Sequence, residues 1–376
     1  MTDPEQLRDR TVCLIYSSGT TGLPKGVLIS HANVVAETYI TTSLNRPYHK
    51  ELVRQGKEYP RRTLAHLPAA HIAGVLHYFI ASMLDAGLVY WMPAFDLDDF
   101  IRYVPELGIT GLFTVPPIYA AIAKHPAITT QFSGIRQATG GAAPLSSEIQ
   151  RAASAKIAPA SAISQVYGLS ETCGTVTSTP LGRTDTIGSL SPLLPNVSLR
   201  LVDDNDQDVP EGQPGEALLK GPMITKGYHN NPEANKNAFT PDGWFRTGDI
   251  IRMEKGLLYI VDRKKELIKY KGMQVAPAEL EGILMAHPAV ADAAVIGLQR
   301  QDTEVPRAYV VLAPGARGKT TEAHIVDHVK RQVARHKQLR GGIVFLDAIP
   351  RSPAGKILRK ELRAMQRREA QDQSRL

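Results

Sequence analysis

The sequence predicts an α/β fold: a parallel sheet covered by helices, a small antiparallel β-barrel-like unit, and a C-terminal α+β domain. Two observations indicate this order. Short apolar, strand-like segments alternate with helix-like segments up to Pro180, and short strands separated by turns follow it. Alternation of strands and helices favours a mostly parallel sheet with helices on both faces. A chain of 376 residues has room for about two to three domains.

The elements of the first half follow from composition and hydrophobic spacing. The predicted strands are short apolar runs: residues 11–17, 62–67, 88–92, 110–115, 135–139 and 163–167. Residues 88–92 read as a buried strand, and Pro116-Pro117 ends the fourth strand. The predicted helices are residues 31–44, 72–84, 97–107 and 146–156, with Asp96 as the N-cap of the third. Ligands of such sheets bind in loops beyond the carboxyl ends of the strands.

The character of the sequence changes after Pro180. Strands are predicted at residues 197–202, 216–220 and 257–261, separated by turns such as Asp203-Asp204-Asn205. A charged run, residues 262–266, comes next. The elements predicted beyond it are helices at 278–285 and 322–336 and strands at 291–298, 308–312 and 343–346. These form an α+β domain of about 100 residues, a size that folds alone.

Four segments of chain result from this interpretation. The boundary is placed at Asp262, so residues 1–262 form the first domain, with an α/β part (1–179) and a β-rich part (180–262). Residues 263–365 form the C-terminal domain, and residues 366–376 form a basic tail.

Composition excludes several classes of protein. Cys13 and Cys173 lack Cys-x-x-Cys spacing, which argues against a disulfide framework and a structural zinc site. No apolar run approaches the roughly 18 residues needed to span a bilayer. The net charge is +7. This excess favours a solvated helix face, or attraction of polyanionic nucleotides, over nucleic-acid binding, because no aromatic stacking platform accompanies it.

The last three residues, Ser374-Arg375-Leu376, resemble an address signal. They follow the Ser-Lys-Leu pattern of peroxisomal matrix import, with Arg in place of Lys. The sequence therefore predicts recognition by a peroxisomal import receptor and a location in the peroxisomal matrix, with the cytoplasm as the alternative.

The strongest chemical signal is a loop that follows the first strand and reads Tyr-Ser-Ser-Gly-Thr-Thr-Gly-Leu-Pro-Lys-Gly-Val over residues 16–27. Glycines let the backbone approach a phosphate closely, and hydroxyl and amide groups donate hydrogen bonds to it. The spacing differs from the Walker A pattern. The residues predicted to bind phosphate are Ser17, Ser18, Gly19, Thr20, Thr21, Gly22 and Lys25.

This loop resembles the signature of the adenylate-forming superfamily, which includes acyl- and aryl-CoA ligases, firefly-type luciferases and adenylation domains of nonribosomal peptide synthetases. Further motifs arrive in the family's order, so the resemblance covers residues 11–362. It is closest to enzymes like 4-coumarate–CoA ligase. The resemblance implies that the loop holds the β- and γ-phosphates of ATP, with Thr21 among the catalytic residues.

Two more motifs of the first domain resemble the family's nucleotide site. Residues 140–145 (Gly-Gly-Ala-Ala-Pro-Leu) resemble the stretch that lines the adenine and acyl pockets, which implies contacts from Gly140, Gly141 and Ala142. A side chain there would block a flat ring. Residues 165–172 resemble the next motif. By that match Tyr167, beside Gly168, stacks on adenine, Ser170 keeps the hydroxyl where Thr is usual, and Glu171 holds Mg²⁺, a cation that prefers oxygen ligands.

The motifs near and beyond the boundary imply roles in both half-reactions. Asp249 is expected to bind the ribose hydroxyls, Arg263 to add a ribose contact, and Asp262 to act as the hinge of a mobile C-terminal domain, within a solvated linker. The final motif, Pro-Arg-Ser-Pro-Ala-Gly-Lys, places Lys356 between the carboxylate and the α-phosphate during adenylation. The remaining residues implied by resemblance are Lys269 and Gln274 for the second half-reaction and Lys271 and Gly272 along the path of CoA.

The acid is less defined by the sequence. His71 aligns with a residue that gates the acyl pocket in the family, although it could equally be a structural histidine. No Asp stands beside His71 to pair a substrate ammonium group, and an unpaired buried ammonium would be costly. The sequence therefore favours aryl, phenylpropanoid-like or medium-chain acids over amino acids.

One part of the family's pattern has no counterpart here. Its members carry a subdomain before the phosphate loop, whereas here the loop begins at Tyr16. The subdomain's packing surface is then expected to be exposed, which marks a site for a partner.

Three functions follow. The first is an ATP- and Mg²⁺-dependent acyl- or aryl-CoA ligase that forms acyl-AMP and passes the acyl group to coenzyme A. The second is a free-standing adenylation enzyme that loads a carrier protein's phosphopantetheine. The third is an inactive nucleotide-binding or partner-dependent module.

Overall fold

The computed structural model describes residues 3–17, 24–57, 59–157, 162–300, 302–352 and 355–373. The chain divides into two compact units, of which the first comprises residues 1–247 and 251–260 and the second comprises residues 248–250 and 261–376. The division between the units therefore falls between residues 247 and 261, just before the predicted boundary at Asp262.

The strands of the first unit form several sheets. In chain order they are β1 (Thr11–Ser17), β2 (Lys25–Ser30), β3 (Arg62–Ala65), β4 (Leu88–Trp91), β5 (Gly111–Thr114), β6 (Gln137–Gly140), β7 (Ser164–Gln165), β8 (Gly168–Leu169), β9 (Gly174–Thr175), β10 (Ser198–Val202) and β11 (Pro214–Lys220), followed by β12 (Phe245–Glu254) and β13 (Leu257–Arg263), which run across the division. The central sheet has the order β4-β3-β5-β6-β7, and all neighbouring pairs are parallel. The predicted α/β class is confirmed.

Helices separate these strands. They are α1 (Pro4–Arg8), α2 (His31–Arg54), α3 (Ile72–Gly74), a π-helical stretch (Val75–Ile80), α4 (Ala81–Leu84), α5 (Leu97–Glu106), α6 (Pro116–Lys124), α7 (Ser147–Ile157), a 3₁₀ turn (Ser170–Thr172) and α8 (Pro232–Ala238). Asp96 caps α5 as predicted, because its carboxylate accepts a hydrogen bond from the Asp99 amide at 2.9 Å. The amphipathic helices bury side chains such as Phe100 and Tyr119, both fully buried in the core.

The first strand, predicted at residues 11–17, is present but lies outside the parallel sheet. β1 pairs antiparallel with β2, in a register that sets Ser17 opposite Lys25, and the two form their own sheet. The phosphate loop is short, and a short connection can only return the chain antiparallel, since parallel pairing needs a crossover of a dozen or more residues. The loop is therefore the connection of a hairpin.

The expectation that residues 88–92 form a buried strand is wrong. β4 lies at the edge of the parallel sheet, and Leu88 and Trp91 are 49% and 50% exposed. A run such as Leu-Val-Tyr-Trp has the composition of a buried strand, and composition alone does not reveal an edge position. Neighbouring helical residues Phe79, Met83 and Leu84 are exposed as well.

The β-rich part contains a long strand that the sequence analysis did not predict. The sheet has the order β10-β11-β12-β13, with β10 and β11 antiparallel. β12 was missed because it contains Thr-Gly-Asp, which reads as a turn, and Gly248 indeed has a positive φ of 71°.

The second unit is an α+β domain, as predicted. Its elements are β14 (Ile268–Tyr270), β15 (Met273–Val275), α9 (Pro277–Ala286), β16 (Val290–Arg300), β17 (Thr303–Leu312), α10 (Glu322–Lys330), a 3₁₀ turn (Arg335–Lys337), β18 (Ile343–Phe345) and α11 (Arg359–Gln373). β16 and β17 are antiparallel, β18 joins β17 in parallel, and β14 pairs with β15 as a separate hairpin. Leu280, Val295 and Val310 lie in the fully buried core of this unit.

The basic segment predicted as a tail from residue 366 is instead largely helical. α11 continues to Gln373, its Leu362 is fully buried, and Glu369 pairs with Arg307 at 3.0 Å. Arg367 and Arg368 are exposed, so these two basic residues lie on a solvated face of the helix. The apolar positions of the helix explain why it packs rather than hangs free. Ser374-Arg375-Leu376 lie outside the described residues.

Within the described ranges, each helix is too short or too polar to cross a membrane.

Candidate active site

The described ends of the phosphate loop meet in the β1–β2 hairpin. Ser17 and Lys25 are paired across it, and the Lys25 ammonium lies 4.8 Å from the centroid of the Tyr228 ring, a cation–π contact. The other predicted phosphate ligands lie outside the described residues: Ser18, Gly19, Thr20, Thr21 and Gly22. Within the described part of the chain, the predicted phosphate ligands are Ser17 and Lys25.

Glu171, the predicted Mg²⁺ ligand, is buried beside the same tyrosine. The Tyr228 hydroxyl donates to Glu171 Oε1 at 3.0 Å, and the Thr225 amide donates to the Glu171 carbonyl at 2.8 Å. Burial and, after it, the Glu171 carboxylate raise the pKa of Tyr228, so the phenol keeps its proton and acts as the donor. Tyr228 thus connects the lysine of the phosphate loop to the carboxylate.

Tyr228 was missed by the sequence analysis. A helix start fixes its position: Asn231 caps α8, and Asn235 in that helix accepts a hydrogen bond from the Tyr228 amide at 2.6 Å. The Asn-Pro-Glu run at residues 231–233 is a readable helix N-terminus. It gives no sign, however, that the preceding tyrosine faces a carboxylate.

The motif at residues 165–172 forms a tight hairpin. β8 and β9 pair so closely that a Cβ atom on Gly168 would lie 1.8 Å from the Gly174 carbonyl oxygen, which only glycine permits. Ser170 and Glu171 lie in the 3₁₀ turn between these strands. Tyr167 is 9% exposed, and its amide donates to Thr177 Oγ1 at 2.8 Å. The hairpin brings Tyr167, Gly168, Ser170 and Glu171 together.

Glu37 buttresses this hairpin from α2, and it too was not a sequence candidate. Its Oε1 accepts from the Thr175 amide at 3.1 Å and from Thr175 Oγ1 at 2.9 Å. Its Oε2 has no hydrogen-bond partner among the described residues. The side chain is 3% exposed, and burial raises the pKa of Glu37 to about 8. The carboxyl is therefore largely neutral at pH 7.

Gly140, Gly141 and Ala142 lie where β6 ends, at the carboxyl edge of the parallel sheet. Added Cβ atoms on the two glycines would lie 3.1 Å from the ring of Tyr119 and 3.2 Å from Val166. Ala142 has a φ of 69°. Close packing inside the protein is therefore one reason for glycine at these two positions, and the space needed by a flat ligand is the other.

His71 caps the start of α3. Its Nδ1 accepts a hydrogen bond from the Ala73 amide at 3.3 Å, and the side chain is half-buried. This contact favours the structural interpretation of His71. A second histidine on the following π-helical stretch, His77, stacks on Phe113 with ring centroids 4.4 Å apart. Phe113 borders Gly141, and burial, followed by the charge of Arg61, lowers the pKa of His77 to about 3. His77 is thus a neutral ring beside the glycine turn.

In the second unit, two predicted ribose contacts pair with each other. Arg263 Nε lies 3.1 Å from Asp249 Oδ1, and the Asp249 side chain is 5% exposed. The Lys264 amide donates to the Gly248 carbonyl at 2.8 Å. The structure therefore brings Asp249 and Arg263 together.

Asp262, the predicted hinge, is buried, which corrects the expectation of a solvated linker. Its two carboxylate oxygens accept from the Arg263 amide at 2.7 Å and from the Ala278 amide at 2.9 Å. The second bond satisfies an open amide in the first turn of α9. Glu266, at the end of the charged run, is also enclosed and pairs with Arg363 at 2.7 Å. A run of charged residues predicts a solvated segment. The groups that bury Asp262 and Glu266, the Ala278 amide and Arg363, lie too far along the chain to be predicted from the sequence.

The residues assigned to the second half-reaction and to the CoA path share one hairpin. Lys269 and Gln274 are directly opposite in the β14–β15 register. Lys271 and Gly272 form the two-residue turn, with φ values of 47° and 79°, as in a type I′ turn. The Lys271 amide donates to Thr303 Oγ1 at 2.7 Å. All four predicted residues are exposed.

Lys356 lies in a tight turn before α11. The Ser352 amide donates to the Lys356 carbonyl at 2.8 Å, the Lys356 amide donates to Ser352 Oγ at 3.2 Å, and Gly355 has a φ of 80°. Arg351 and Ile357 form a β-bridge that closes the turn. The glycine that precedes the lysine thus has a backbone that disfavours other residues.

The buried carboxylate of Glu171 fits Mg²⁺ bound together with a nucleotide. No group of three or more His, Cys, Asp or Glu side chains arranged for a metal exists among the residues the structure describes. Mg²⁺ is commonly held by one or two carboxylates together with substrate phosphates. Glu171, buried close to the phosphate-loop lysine, suits that mode of binding.

Comparison with known proteins matches both halves of the chain. A family model described as AMP-binding enzyme matches residues 1–229, and one described as AMP-binding enzyme C-terminal domain matches residues 279–356. A protein of Emericella nidulans with the provisional name acyl-coenzyme A synthetase is 49% identical over 380 residues, 100% of this chain and 67% of that protein. The 4-coumarate–CoA ligase 5 of Oryza sativa subsp. japonica is 40% identical over 366 residues, 94% of this chain and 65% of the ligase. The chain therefore spans roughly two thirds of the length of these relatives.

Solved structures agree with this assignment. ATP-bound MatB from Rhodopseudomonas palustris has a TM-score of 0.83 at 30% identity, covering 95% of this chain and 68% of that one. The o-succinylbenzoate CoA synthetase MenE of Bacillus subtilis, in complex with ATP and magnesium ion, has a TM-score of 0.77 at 29% identity, with 95% and 70% covered. The resemblance inferred from the motifs is confirmed, and the chain belongs to the AMP-binding enzyme family within the adenylate-forming superfamily.

Proposed function

We propose that this chain activates a carboxylic acid with ATP and passes the acyl group to coenzyme A. The observation that carries the proposal is the cluster of Lys25, Tyr228 and Glu171, which puts a cation and a buried carboxylate beside the phosphate loop. The names of the relatives support it: acyl-coenzyme A synthetase, 4-coumarate–CoA ligase and o-succinylbenzoate CoA synthetase.

The proposed reaction has two steps. A carboxylate oxygen of the acid attacks the α-phosphorus of ATP, and the bond to pyrophosphate breaks. The thiol of CoA, losing its proton, then attacks the acyl carbon, and AMP leaves with the bonding electrons. Lys356 would stabilise the negative charge that gathers at the α-phosphate in the first step. The hairpin of Lys269 and Gln274 would serve the second step, with CoA passing Lys271 and Gly272, while Asp262 would act as the hinge.

The nucleotide would be held largely by the first unit. Glu171 would bind Mg²⁺, which would supply charge neutralisation on the transferred phosphates. Ser17 and Lys25 and the loop between them would hold the β- and γ-phosphates, with the Ser170 hydroxyl as a further donor. Tyr228 keeps the Glu171 carboxylate oriented through its hydrogen bond, in the way that outer partners orient metal ligands.

The acid would be an aryl, phenylpropanoid-like or medium-chain acid. The rings of His77 and Phe113 are stacked next to Gly141, at the sheet edge where ligands of such folds bind. A neutral, aromatic wall suits an apolar acyl group better than a charged one. Measuring activity across acids of graded polarity tests this assignment.

Two further assignments extend the proposal. We propose import into the peroxisomal matrix through an import receptor that binds Ser374-Arg375-Leu376. We also propose that the exposed apolar face around β4 is an interface for an additional domain or a partner protein, because contiguous exposed apolar patches are uncommon on monomeric proteins and mark interaction sites. The members of this face are Phe79, Met83, Leu84, Leu88 and Trp91.

Pyrophosphate release tests the proposed reaction. Purified, folded protein is mixed with ATP, Mg²⁺ and a pool of aryl and fatty acids, and CoA is added to one half of the samples. Acid-dependent release together with acyl-CoA supports the proposal. Release without acyl-CoA points to a carrier-protein acceptor, and folded protein with no release points to a nucleotide-binding or partner-dependent module.

Replacing Lys356 by Ala separates the half-reactions. We expect K356A to abolish pyrophosphate release and to leave thioester formation from preformed acyl-AMP intact. Lys360, exposed four residues later on α11, provides the matched control K360A. Equal loss of both half-reactions in K356A would contradict the role given to Lys356.

A further inference from the structure

The turn that carries Lys356 is fastened to the sheet of its own unit by an arginine. Arg351 makes a two-pronged ion pair with Asp292, from Nε to Oδ2 at 3.0 Å and from Nη2 to Oδ1 at 2.7 Å. Its third nitrogen, Nη1, donates to the carbonyl of Gly355 at 2.6 Å. One guanidinium group therefore ties the residue before Lys356 to the start of β16.

Both ends of this contact are fixed. Asp292 lies where the β16–β17 register shifts between Val290 and Asp292, and its Oδ1 also accepts from the Ala293 amide at 2.9 Å. The side chains of Arg351 and Asp292 are only 22% and 25% exposed, so water screens the pair less than it does a surface pair. A forked pair of this kind adds geometric specificity that a single ammonium cannot supply.

The chain is anchored again just beyond the lysine. Arg359 Nη2 lies 2.6 Å from Glu281 Oε1, and Arg359 Nε donates to the Val295 carbonyl at 3.3 Å. Glu281 in turn accepts from the Val295 amide at 2.8 Å. Asp292 and Val295 both belong to β16, so the two arginines hold the turn to one strand from both sides.

We propose that Arg351 is a positioning residue for Lys356, acting through the Gly355 carbonyl and Asp292. This inference rests on the proposed function, because it assigns a purpose to the fixed turn in the adenylation step. The Arg351–Asp292 clamp restricts the turn before the substrate arrives, so that the ammonium group does not have to be ordered during the reaction. A displacement of about 1 Å is enough to cost on the order of 10²-fold in rate.

Three variants separate positioning from stability. R351Q and D292N each leave one charge without its partner, whereas the double variant R351Q/D292N removes both charges. Leaving a charge unpaired is the costly event for stability, so the double variant should regain most of the stability that either single variant loses. It should not regain adenylation, because the bonds that hold Gly355 are still missing. The adenylation rate of R351K should lie between the rates of wild type and R351Q.

Two measurements are made on every variant of the full chain. The first is the rate of each half-reaction. The adenylation rate is measured as pyrophosphate release, and the thioester-forming rate is measured with preformed acyl-AMP as the starting material. We expect adenylation to fall by about 10²-fold in R351Q and in the double variant, with the KM for ATP and the thioester rate within about twofold of wild type. The control is R317Q, which breaks the exposed Arg317–Asp347 pair of the same unit and should change neither rate.

The second measurement is amide hydrogen exchange, which requires no activity. Peptides covering residues 350–358 should exchange faster in R351Q and in the double variant, while peptides of β16 and β17 stay unchanged. Unaltered exchange in the turn would refute the clamp even if the wild-type chain proves inactive, a result that would refute the proposed function separately. Faster exchange with unchanged adenylation, or an equal loss of both half-reactions, would refute positioning.

Discussion

Replacing Glu37 by Gln should make the protein more stable at neutral pH and above. Glu37 is buried, one of its oxygens has no partner among the described residues, and its pKa is about 8 against an ordinary value of 4.5. In the unfolded chain this carboxyl would lose its proton from about pH 4.5 upward, whereas in the folded chain it keeps the proton until about pH 8. The folded state therefore binds more protons in that window, and stability falls as the pH rises through it.

The magnitude follows from the two pKa values. At pH 7 the cost is on the order of 3 kcal/mol, because pH 7 lies about 2.5 units above the ordinary pKa and each unit is worth about 1.4 kcal/mol. The cost should disappear near pH 4.5 and level off above pH 8. Gln has nearly the same shape and can still accept from Thr175, but it does not titrate.

Urea unfolding at several pH values measures this difference. Trp91 and Trp244, the two tryptophans of the chain, both belong to the first unit, so tryptophan fluorescence follows the unit that contains Glu37. The gain in free energy of unfolding for E37Q should grow from about 1 kcal/mol at pH 5 to about 3 kcal/mol at pH 7. E51Q, which changes an exposed glutamate of the same helix, is the control and should show no such growth. A difference between E37Q and wild type that is constant from pH 5 to pH 8 would refute the reasoning.

Three other predictions concern the site and the C-terminus. Y228F removes the donor to Glu171, and since hydrogen bonds to charged groups are worth about 1.5–3 kcal/mol, binding of ATP with Mg²⁺ should weaken by about 10- to 100-fold in calorimetry; unchanged affinity would contradict the orienting role of Tyr228. G168A drives a Cβ atom into the Gly174 carbonyl and should lower stability by about 3 kcal/mol or more in thermal unfolding, and a wild-type melting temperature would contradict the hairpin geometry. Deleting Ser374-Arg375-Leu376 should move a fluorescently tagged chain from peroxisomes to the cytosol, and unchanged localisation would contradict the address signal.

The fold class and the sequence motifs of the family were readable because they are local. Alternating apolar segments give the parallel sheet, and the glycine-rich strings fix short turns by backbone geometry alone. What the sequence concealed depends on contacts between distant segments. The burial of Asp262 requires the amide of Ala278, and the edge position of Leu88 and Trp91 depends on which strand has no neighbour. Composition supplies neither piece of information.

The supporting residues were harder still to recognise. Tyr228 contacts Glu171 across 57 positions of sequence, and Glu37 reaches Thr175 across 138. A lone tyrosine or glutamate carries no pattern, whereas the motif residues they support are recognisable as strings. The helical structure of the basic tail predicted from residue 366 was missed for a related reason, since the many charges of α11 outweigh its few apolar positions in any average.

The Lys271-Gly272 turn also limits how this protein can be altered. Both turn residues have positive φ. Lys269 lies directly opposite Gln274, so the side chains of Lys269 and Gln274 point to the same side of the hairpin, whose strands are each three residues long. Side chains alternate along a strand, so inserting one residue before the turn would send one of the pair to the opposite face. Changes of length in this hairpin should therefore be rare among relatives that keep Lys269 and Gln274.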